Sequence, residues 1–276
     1  MKLKHIIRDS GIRLFDKSGL SAGRRAYLQK INEGLSRVVC FHEITDANSF
    51  ENKIQLLIQN FHIVPLDLVV KNIGLHKKIT NVAITFDDGF SEQIDIAAPI
   101  LKKYEIPATF FILSGSVGLT GEEASNYYRN QVGINYAVGP TATQISDLAN
   151  EPLFQVGCHT HNHLDLGGIS NPQEIHTELI LSKQKLEEIT KTEIRHLAYP
   201  FGAIGNFSEI AEAEVLKAGF ESASTIIPGY NLKNTPRTSL HRDSLSPEME
   251  DSLFLAWLRG SYDTIKMISD RIKTVR

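Results

Sequence analysis

The sequence has few cysteines, no long apolar run and no large excess of charge. Its two cysteines, Cys40 and Cys158, are too few for a disulfide framework, and their apolar surroundings predict buried free thiols. The chain has no run of about 18 apolar residues, the length that a membrane-spanning helix requires. A net charge of -3 gives no general attraction to nucleic acid, so we expect no nucleic-acid partner.

Three widespread motifs are missing as well. There is no Gly-x-Gly-x-x-Gly after a predicted strand, no phosphate-binding Walker loop and no Gly-x-Ser-x-Gly turn. These absences argue against a dinucleotide enzyme, a P-loop nucleotidase and a serine hydrolase of the α/β type. The first nine residues are basic but lack the apolar core of a secretory signal, so we expect a cytoplasmic chain.

Residues 1–33 differ in composition from the rest of the chain. Residues 1–30 hold eight Lys or Arg and two Asp, a surplus of six positive charges, and apolar residues recur at loosely helical spacing. We predict a basic helical extension over 1–33 and one main domain over 34–276. Two interpretations of the extension are open: peripheral contact of residues 1–30 with an anionic membrane surface or a partner, or simple packing on the domain, which the composition favours.

Short apolar segments alternate with helical patterns along most of the chain. This alternation predicts an α/β fold with a parallel sheet and crossover helices, and about seven units favour a distorted or incomplete (β/α) barrel. Residues 114–142 are rich in glycine and are predicted to form a long irregular connection over one face. The seven predicted core strands are Arg37–Glu43, Val82–Phe86, Ala108–Leu113, Phe154–Cys158, His196–Pro200, Phe220–Ile226 and Arg237–His241.

Two carboxylates follow the second of these strands directly. Asp87 and Asp88 end an apolar run, and Gly89 allows a sharp turn after them. Two neighbouring buried carboxylates are unfavourable unless a cation or a proton separates them. The pattern therefore indicates a bound cation, although a solvated Asp-Asp-Gly turn would account for these three residues taken alone.

Three histidines follow the Phe154–Cys158 strand within five residues. His159 and His163 can face the same way, on one helical turn or in a suitable loop, with His161 turned away. In a parallel barrel these residues and the Asp87-Asp88 pair meet at the carboxyl ends of the strands. Two histidines and one carboxylate form a common ligand set for a catalytic divalent metal, and the other carboxylate is then free to act as a base.

These residues resemble the motifs of the polysaccharide deacetylases, carbohydrate esterase family 4, whose domain is called the NodB-homology domain. Thr85-Phe86-Asp87-Asp88-Gly89 is similar to the first family motif. The segment from His159 to His163 is similar to the second, His-Ser/Thr-x-x-His. Tyr199-Pro200-Phe201-Gly202 is similar to the third, and the resemblance extends from about Val38 to His241.

The resemblance implies a role for each site residue. Asp88, His159 and His163 resemble the metal ligands, Asp87 the general base, and the peptide N–H of Tyr199 an oxyanion donor. The family often takes its general acid from a Leu-x-His motif. Leu240-His241 is the candidate here, although its spacing departs from that pattern, and His241 could equally have a surface role.

Two further positions are left open by the motifs. The third motif lacks an arginine that some members carry, with His196 or Leu197 in its place, so the group that orients Asp87 is undetermined. His42, after the first strand, either lines the substrate site or satisfies backbone groups.

The expected activity is metal-dependent removal of acetyl from an N-acetylated sugar, in an intermediate of cell-surface polysaccharide biosynthesis. Zinc is the metal that this ligand set favours, and other divalent ions also suit it. Two alternatives stand beside this hypothesis. One is an O-acetyl esterase or a non-sugar amidase with the same metal site, and the other is a catalytically silent carbohydrate-binding homologue.

Overall fold

Parallel strands and helices alternate along the chain. A computed structural model describes residues 2–32, 34–71, 79–136 and 138–274, with the side chains of residues 8–31, 34–71, 79–136 and 138–267. The strands are β1 Ser36–Phe41, β2 His62–Ile63, β3 Asn81–Phe86, β4 Ala108–Ile112, β5 Phe154–Cys158, β6 His196–Ala198, β7 Ser222–Ser224 and β8 Asp243–Ser244. The helices are α1 Lys2–Lys17, α2 Leu20–Asn32, α3 Ala47–Asn60, α4 Leu66–Val70, α5 Ala98–Lys103, α6 Gly121–Gln131, α7 Ala142–Asn150, α8 Pro172–Thr190, α9 Glu209–Lys217, α10 Asp251–Leu258 and α11 Ser261–Thr274.

The strands form one sheet in the order β7-β6-β5-β4-β3-β1-β8, and the short β2 pairs beside β3. All of these pairings are parallel. Between β7 and β8 the described residues form no ladder, and a single parallel bridge joins Ser224 to Leu240. The seven-strand path, with helices around it, confirms the predicted incomplete (β/α) barrel.

The central strands are held by an aromatic core. Every residue of β1, β3 and β4 is buried, as expected for a parallel sheet covered on both faces. Phe86 stacks on Phe110 with ring centroids 4.7 Å apart, and Phe41 lies 5.9 Å from Phe86 on the other side. Such contacts add to the burial of large apolar side chains and keep the ends of neighbouring strands level with one another.

The predicted seventh strand, Arg237–His241, is wrong. Residues Arg237–Ser239 form a 3₁₀ turn, and the chain pairs with β1 only at Asp243–Ser244. The reason lies in two charged side chains that the apolar pattern ignores. Arg242 and Asp243 are fully buried because each forms an ion pair inside the barrel, and this draws residues after the turn beside β1.

The connection over 114–142 is more regular than its glycines suggest. It contains α6, which buries Ala124 and Tyr128 against Phe90 and Leu113. Tyr128 and Phe90 have ring centroids 5.5 Å apart, so aromatic packing stabilises a helix whose apolar pattern is weak. The carboxyl end of α6 reaches the candidate site.

Helix α1 packs against the C-terminal helices α10 and α11, and α2 packs against α1. Ile12 of α1 is fully buried and belongs to the main core. The division of the chain at residues 33 and 34 stays a prediction, and residues 1, 33, 275 and 276 lie outside the described residues. None of the described helices is long and apolar enough to cross a membrane.

Candidate metal centre and active site

A cavity of about 790 Å³ opens at the carboxyl ends of the strands, the face where parallel barrels place their reactive groups. Its floor contains the two aspartates after β3 and the two histidines after β5 that were predicted from the sequence. The lining residues that bear on the chemistry are His42, Asp87, Asp88, His159, His163, Tyr199 and Phe201.

Asp88, His159 and His163 converge at the bottom of the cavity. The Nε2 atoms of His159 and His163 lie 3.3 and 3.5 Å from Oδ1 of Asp88. A tetrahedral ion with bonds of 2.0–2.2 Å holds its ligand atoms about 3.3–3.5 Å apart, so this separation fits a shared divalent cation. The three side chains are buried, with ligand atoms that all lie within 4.8 Å of one another.

Backbone carbonyls set the tautomer of both histidines. Nδ1 of His159 lies 2.9 Å from the carbonyl oxygen of Ala198, and Nδ1 of His163 lies 2.8 Å from that of Gln131 at the end of α6. A carbonyl oxygen only accepts, so each Nδ1 carries a proton and each Nε2 is the ring nitrogen that faces Asp88. Metal-binding histidines are commonly oriented in this way.

The protonation states also suit a metal. Burial and the neighbouring His159 lower the pKa of His163 to about 4, so the ring is neutral at ordinary pH. For Asp88, burial acts to raise the pKa, but the hydrogen bond and charge of His159 outweigh it and lower the pKa overall. An ionised carboxylate beside histidine nitrogens is the donor set that a divalent ion requires.

The histidine segment is a loop rather than a helical turn. Thr160 and His163 have φ of 66° and 56°, and Asp88 after β3 has φ of 69°, in the left-handed region that non-glycine residues seldom adopt. Glu178 of α8 holds the loop by accepting hydrogen bonds from the backbone N–H groups of His161 and Asn162. The strain is therefore offset by a buried carboxylate on an adjacent rigid helix.

His161 points away from the ligands, as predicted. Its Nδ1 lies 2.8 Å from Oγ of Ser114, outside the residues that line the cavity.

Asp87 is held by a residue that sequence reasoning did not single out. Arg242 forms two hydrogen bonds with it, Nη1 to Oδ1 at 2.7 Å and Nη2 to Oδ2 at 2.6 Å. The guanidinium also donates to the carbonyl of Thr225 and the hydroxyl of Thr85. Burial acts to raise the pKa of Asp87, but the charge of Arg242, followed by that of His159, outweighs it and holds the pKa well below its usual range. Asp87 is therefore ionised and fixed in orientation.

His42 lies beside Asp87 because β1 and β3 are in register. Phe41 pairs with Phe86, so the next residues of the two strands are neighbours. Nε2 of Gln93 donates to the backbone carbonyls of both His42 and Asp87, at 2.8 and 2.6 Å. Gln93 begins a π-helical turn, Gln93–Ala97, a feature frequent at functional sites.

Cys40, His42 and Asp87 also bring three potential ligand atoms together. This cluster does not suit a second metal, since both oxygens of Asp87 already bind Arg242. Burial also raises the pKa of the Cys40 thiol well above its usual value, which keeps the sulfur protonated.

The other two predicted catalytic groups are engaged elsewhere. Nδ1 of His241 lies 3.2 Å from the carbonyl oxygen of Ile227, and His241 is not among the residues that line the cavity. The N–H of Tyr199 donates to the carbonyl of Ser224 at 3.0 Å, as part of the sheet. Two residues later, Phe201 has φ of 60° and lines the cavity, and none of the described residues accepts a hydrogen bond from its N–H.

Comparison with known proteins agrees with this geometry. A family model described as "Polysaccharide deacetylase" matches residues 75–223. The YxkH protein of Bacillus subtilis (strain 168), whose name places it in that family, is 28% identical over 179 residues, covering 65% of this chain and 56% of that protein. The poly-beta-1,6-N-acetyl-D-glucosamine N-deacetylase of Staphylococcus aureus (strain MSSA476) is 28% identical over 176 residues, covering 59% of this chain and 56% of that protein.

Two solved structures are similar in fold. IcaB from Ammonifex degensii has a TM-score of 0.67 at 20% identity, covering 83% of this chain and 97% of that one. The Streptococcus pyogenes deacetylase PplD in complex with acetate has a TM-score of 0.64 at 20% identity, covering 80% and 96%. The present chain thus spans nearly the whole of these folds but little more than half of the two relatives matched by sequence.

Proposed function

The chain belongs to the polysaccharide deacetylase family, and from that premise we propose that it is a metal-dependent hydrolase that removes acetyl from an N-acetylated sugar. The observation that carries the proposal is the convergence of Asp88, His159 and His163 beside an ionised Asp87. When bound by those three ligands, a divalent ion, zinc by preference, would polarise the acetamide carbonyl and lower the pKa of the attacking water.

Asp87 is the general base of the proposed reaction. Its carboxylate is ionised, and Arg242 binds one lone pair on each oxygen, which leaves further lone pairs to accept a proton from water. The low pKa makes Asp87 a weak base. A weak base would suffice, because a bound divalent ion would lower the pKa of the attacking water.

We assign the general acid to His42 rather than His241. The departing amine needs a proton, and His42 lines the cavity beside Asp87 whereas His241 does not. For the developing oxyanion, the N–H of Phe201 replaces that of Tyr199, because the Tyr199 N–H is bound to Ser224 and the Phe201 N–H has no acceptor among the described residues.

The proposed substrate is a glycan that contains N-acetylglucosamine. Support comes from the Staphylococcus aureus relative, which is named for such a polymer, and from the exposed aromatic ring of Phe201 at the cavity. We predict that the substrate is a lipid-linked or nucleotide-linked intermediate of surface-polysaccharide assembly. The enzyme that acts on it is predicted to be cytoplasmic. An O-acetyl esterase, a non-sugar amidase and a silent homologue are the alternatives that the assay must separate.

The test is acetate release from N-acetylglucosamine oligomers by metal-stripped and zinc-reloaded enzyme. Activity should return with zinc, His163→Ala should lose both metal and activity, and Asp87→Asn should keep the metal and lose activity. His161→Ala is the matched control, because that ring lies on the same loop but contacts Ser114. Full activity of Asp87→Asn would overturn the base assignment, and release of acetate only from O-acetylated sugars would favour the esterase.

A further inference from the structure

Two polar side chains of α2, those of Ser21 and Arg24, contact the rest of the protein. Arg24 donates to Oδ2 of Asp263 at 3.3 Å and to Oγ1 of Thr264 at 3.2 Å, both at the start of α11. Ser21 is buried and donates to Oδ1 of Asp16 at 3.1 Å. These contacts fix the rotation of α2 about its axis.

Three exposed apolar side chains lie next to Arg24, on the same helical face of α2. Leu20, Tyr27 and Ile31 are 62%, 63% and 54% exposed, and their spacing of seven and four residues places them on one helical face. Leu14, near the end of α1, is 72% exposed. We call these four residues the outer face. Grouped exposed apolar side chains of this kind mark interaction sites rather than ordinary surface.

The charges around the outer face are positive. Lys17 and Lys30 are exposed, and none of the described carboxylates forms an ion pair with either of them. The two acidic residues of α1 are both engaged, Asp9 with Arg8 and Asp16 with Arg259. Among the residues whose side chains the structure describes, the outer face therefore presents apolar groups and ammonium groups without a free carboxylate.

We propose that the outer face docks on an anionic lipid surface, independently of the deacetylase activity. An interfacial helix buries an apolar side among acyl chains while flanking lysines reach the phosphates, and tyrosine suits the boundary between the two. A second copy of the chain fits less well, because a two-fold contact would place Lys17 and Lys30 of both copies in one interface with no carboxylate.

The ion pairs in the structure change which groups of residues 1–30 are expected to attract a membrane. The surplus of six charges over residues 1–30 suggested a mainly electrostatic arm. Of its arginines, Arg8, Arg13 and Arg24 form ion pairs with Asp9, Glu250 and Asp263 within the protein. The apolar side chains of the outer face thus supply most of the expected attraction, and the two lysines supply the preference for anionic lipid.

The experiment is flotation of the full-length protein with vesicles of phosphatidylcholine alone or mixed with phosphatidylglycerol. Wild type should bind the mixed vesicles and bind pure phosphatidylcholine weakly. The triple variant Leu20→Ser, Tyr27→Ser, Ile31→Ser should lose at least about tenfold in affinity. Lys17→Gln with Lys30→Gln should lose roughly fivefold for each lysine on the mixed vesicles. Leu216→Ser on α9, 58% exposed, is the matched control and should bind as wild type does.

A second measurement separates docking from a folding defect. Tyr27→Cys can be labelled selectively with a polarity-sensitive dye, since Cys40 and Cys158 are buried. Its emission should shift to the blue when mixed vesicles are added, and a label at Leu216→Cys should not respond. Absence of wild-type binding, or equal binding by the triple variant, overturns the proposal. A dimer in light scattering that the triple variant dissociates, without lipid binding, would assign the face to a second copy.

Discussion

Replacement of Arg242 by methionine tests how the base is held. Arg242 is fully buried, and both of its terminal nitrogens bind Asp87. Methionine fills much of the same volume but leaves the buried carboxylate without a partner. It also removes the donor to the Thr225 carbonyl. We expect Arg242→Met to lose stability and to change the titration of Asp87.

The stability loss should be about 3–5 kcal/mol, the cost of removing one partner of a buried ion pair. For a chain of this size, with a denaturant slope of about 3 kcal/mol/M in urea, the unfolding midpoint should fall by about 1–1.7 M. Asp87→Asn alone leaves the guanidinium unpaired and should also destabilise. The double variant Arg242→Met, Asp87→Asn contains neither charge, so its loss should be smaller than the sum of the two single losses.

The pH dependence of activity tests the role of Arg242 independently of its effect on stability. Arg242 is the strongest of the charges that lower the pKa of Asp87, so its removal raises that pKa. The base must be ionised, so the acidic limb of kcat/KM should move to higher pH in Arg242→Met and stay close to wild type in Arg242→Lys. Additive stability losses together with an unmoved acidic limb would refute the view that Arg242 positions and ionises Asp87.

Three further changes test the surrounding groups. Glu178→Ala frees the histidine loop and should weaken zinc binding about 10–100-fold in a chelator competition, with Glu174→Ala on the same helix as the control. His42→Gln should lower kcat about 10²–10⁴-fold and remove the basic limb of the pH profile without loss of metal, whereas His241→Gln should leave both unchanged. The hydrogen bond from His196 lowers the pKa of Asp67 in the folded state. Ionised Asp67 therefore stabilises the fold above its unfolded pKa of about 3.9, and this stabilisation is lost as pH falls below that value. Asp67→Asn should therefore cost about 1 kcal/mol at pH 7, and in urea unfolding the difference should begin to shrink only as pH falls below about 4.

The candidate metal centre could be predicted from the sequence because each pair of its residues is local. Asp87 and Asp88 are adjacent, His159 and His163 are four residues apart, and both pairs follow apolar segments that can only be buried strands. The topology of a parallel barrel then brings the strand ends together without further information. The same logic predicted the sheet, since alternation of strands and helices leaves few other arrangements.

The groups that orient these side chains could not be predicted, because the contacts are made by backbone atoms or by residues that are distant in the sequence. The carbonyls of Ala198 and Gln131 orient the two imidazoles. Every residue has a backbone carbonyl, so the amino-acid sequence does not indicate these contacts. Gln131 also belongs to a helix that weak periodicity concealed. Arg242 lies 155 residues from Asp87 and directly follows the segment Arg237–His241, which was interpreted as a strand.

The choice between His42 and His241 turns on strand register. In the sheet β1 lies between β3 and β8, so Asp87 at the end of β3 has the end of β1 as its direct neighbour. Pairing of Phe41 with Phe86 makes His42 the residue opposite Asp87, and Gln93 binds both of their backbone carbonyls. His241 precedes β8, one strand further away, and there it is Arg242 that reaches across to Asp87. His42 therefore lies on the strand adjacent to Asp87 and lines the cavity, whereas His241 contacts the carbonyl of Ile227 and is not among the cavity-lining residues. A one-residue shift of β1 would take His42 out of its place opposite Asp87 and would also turn Phe41 out of the aromatic core.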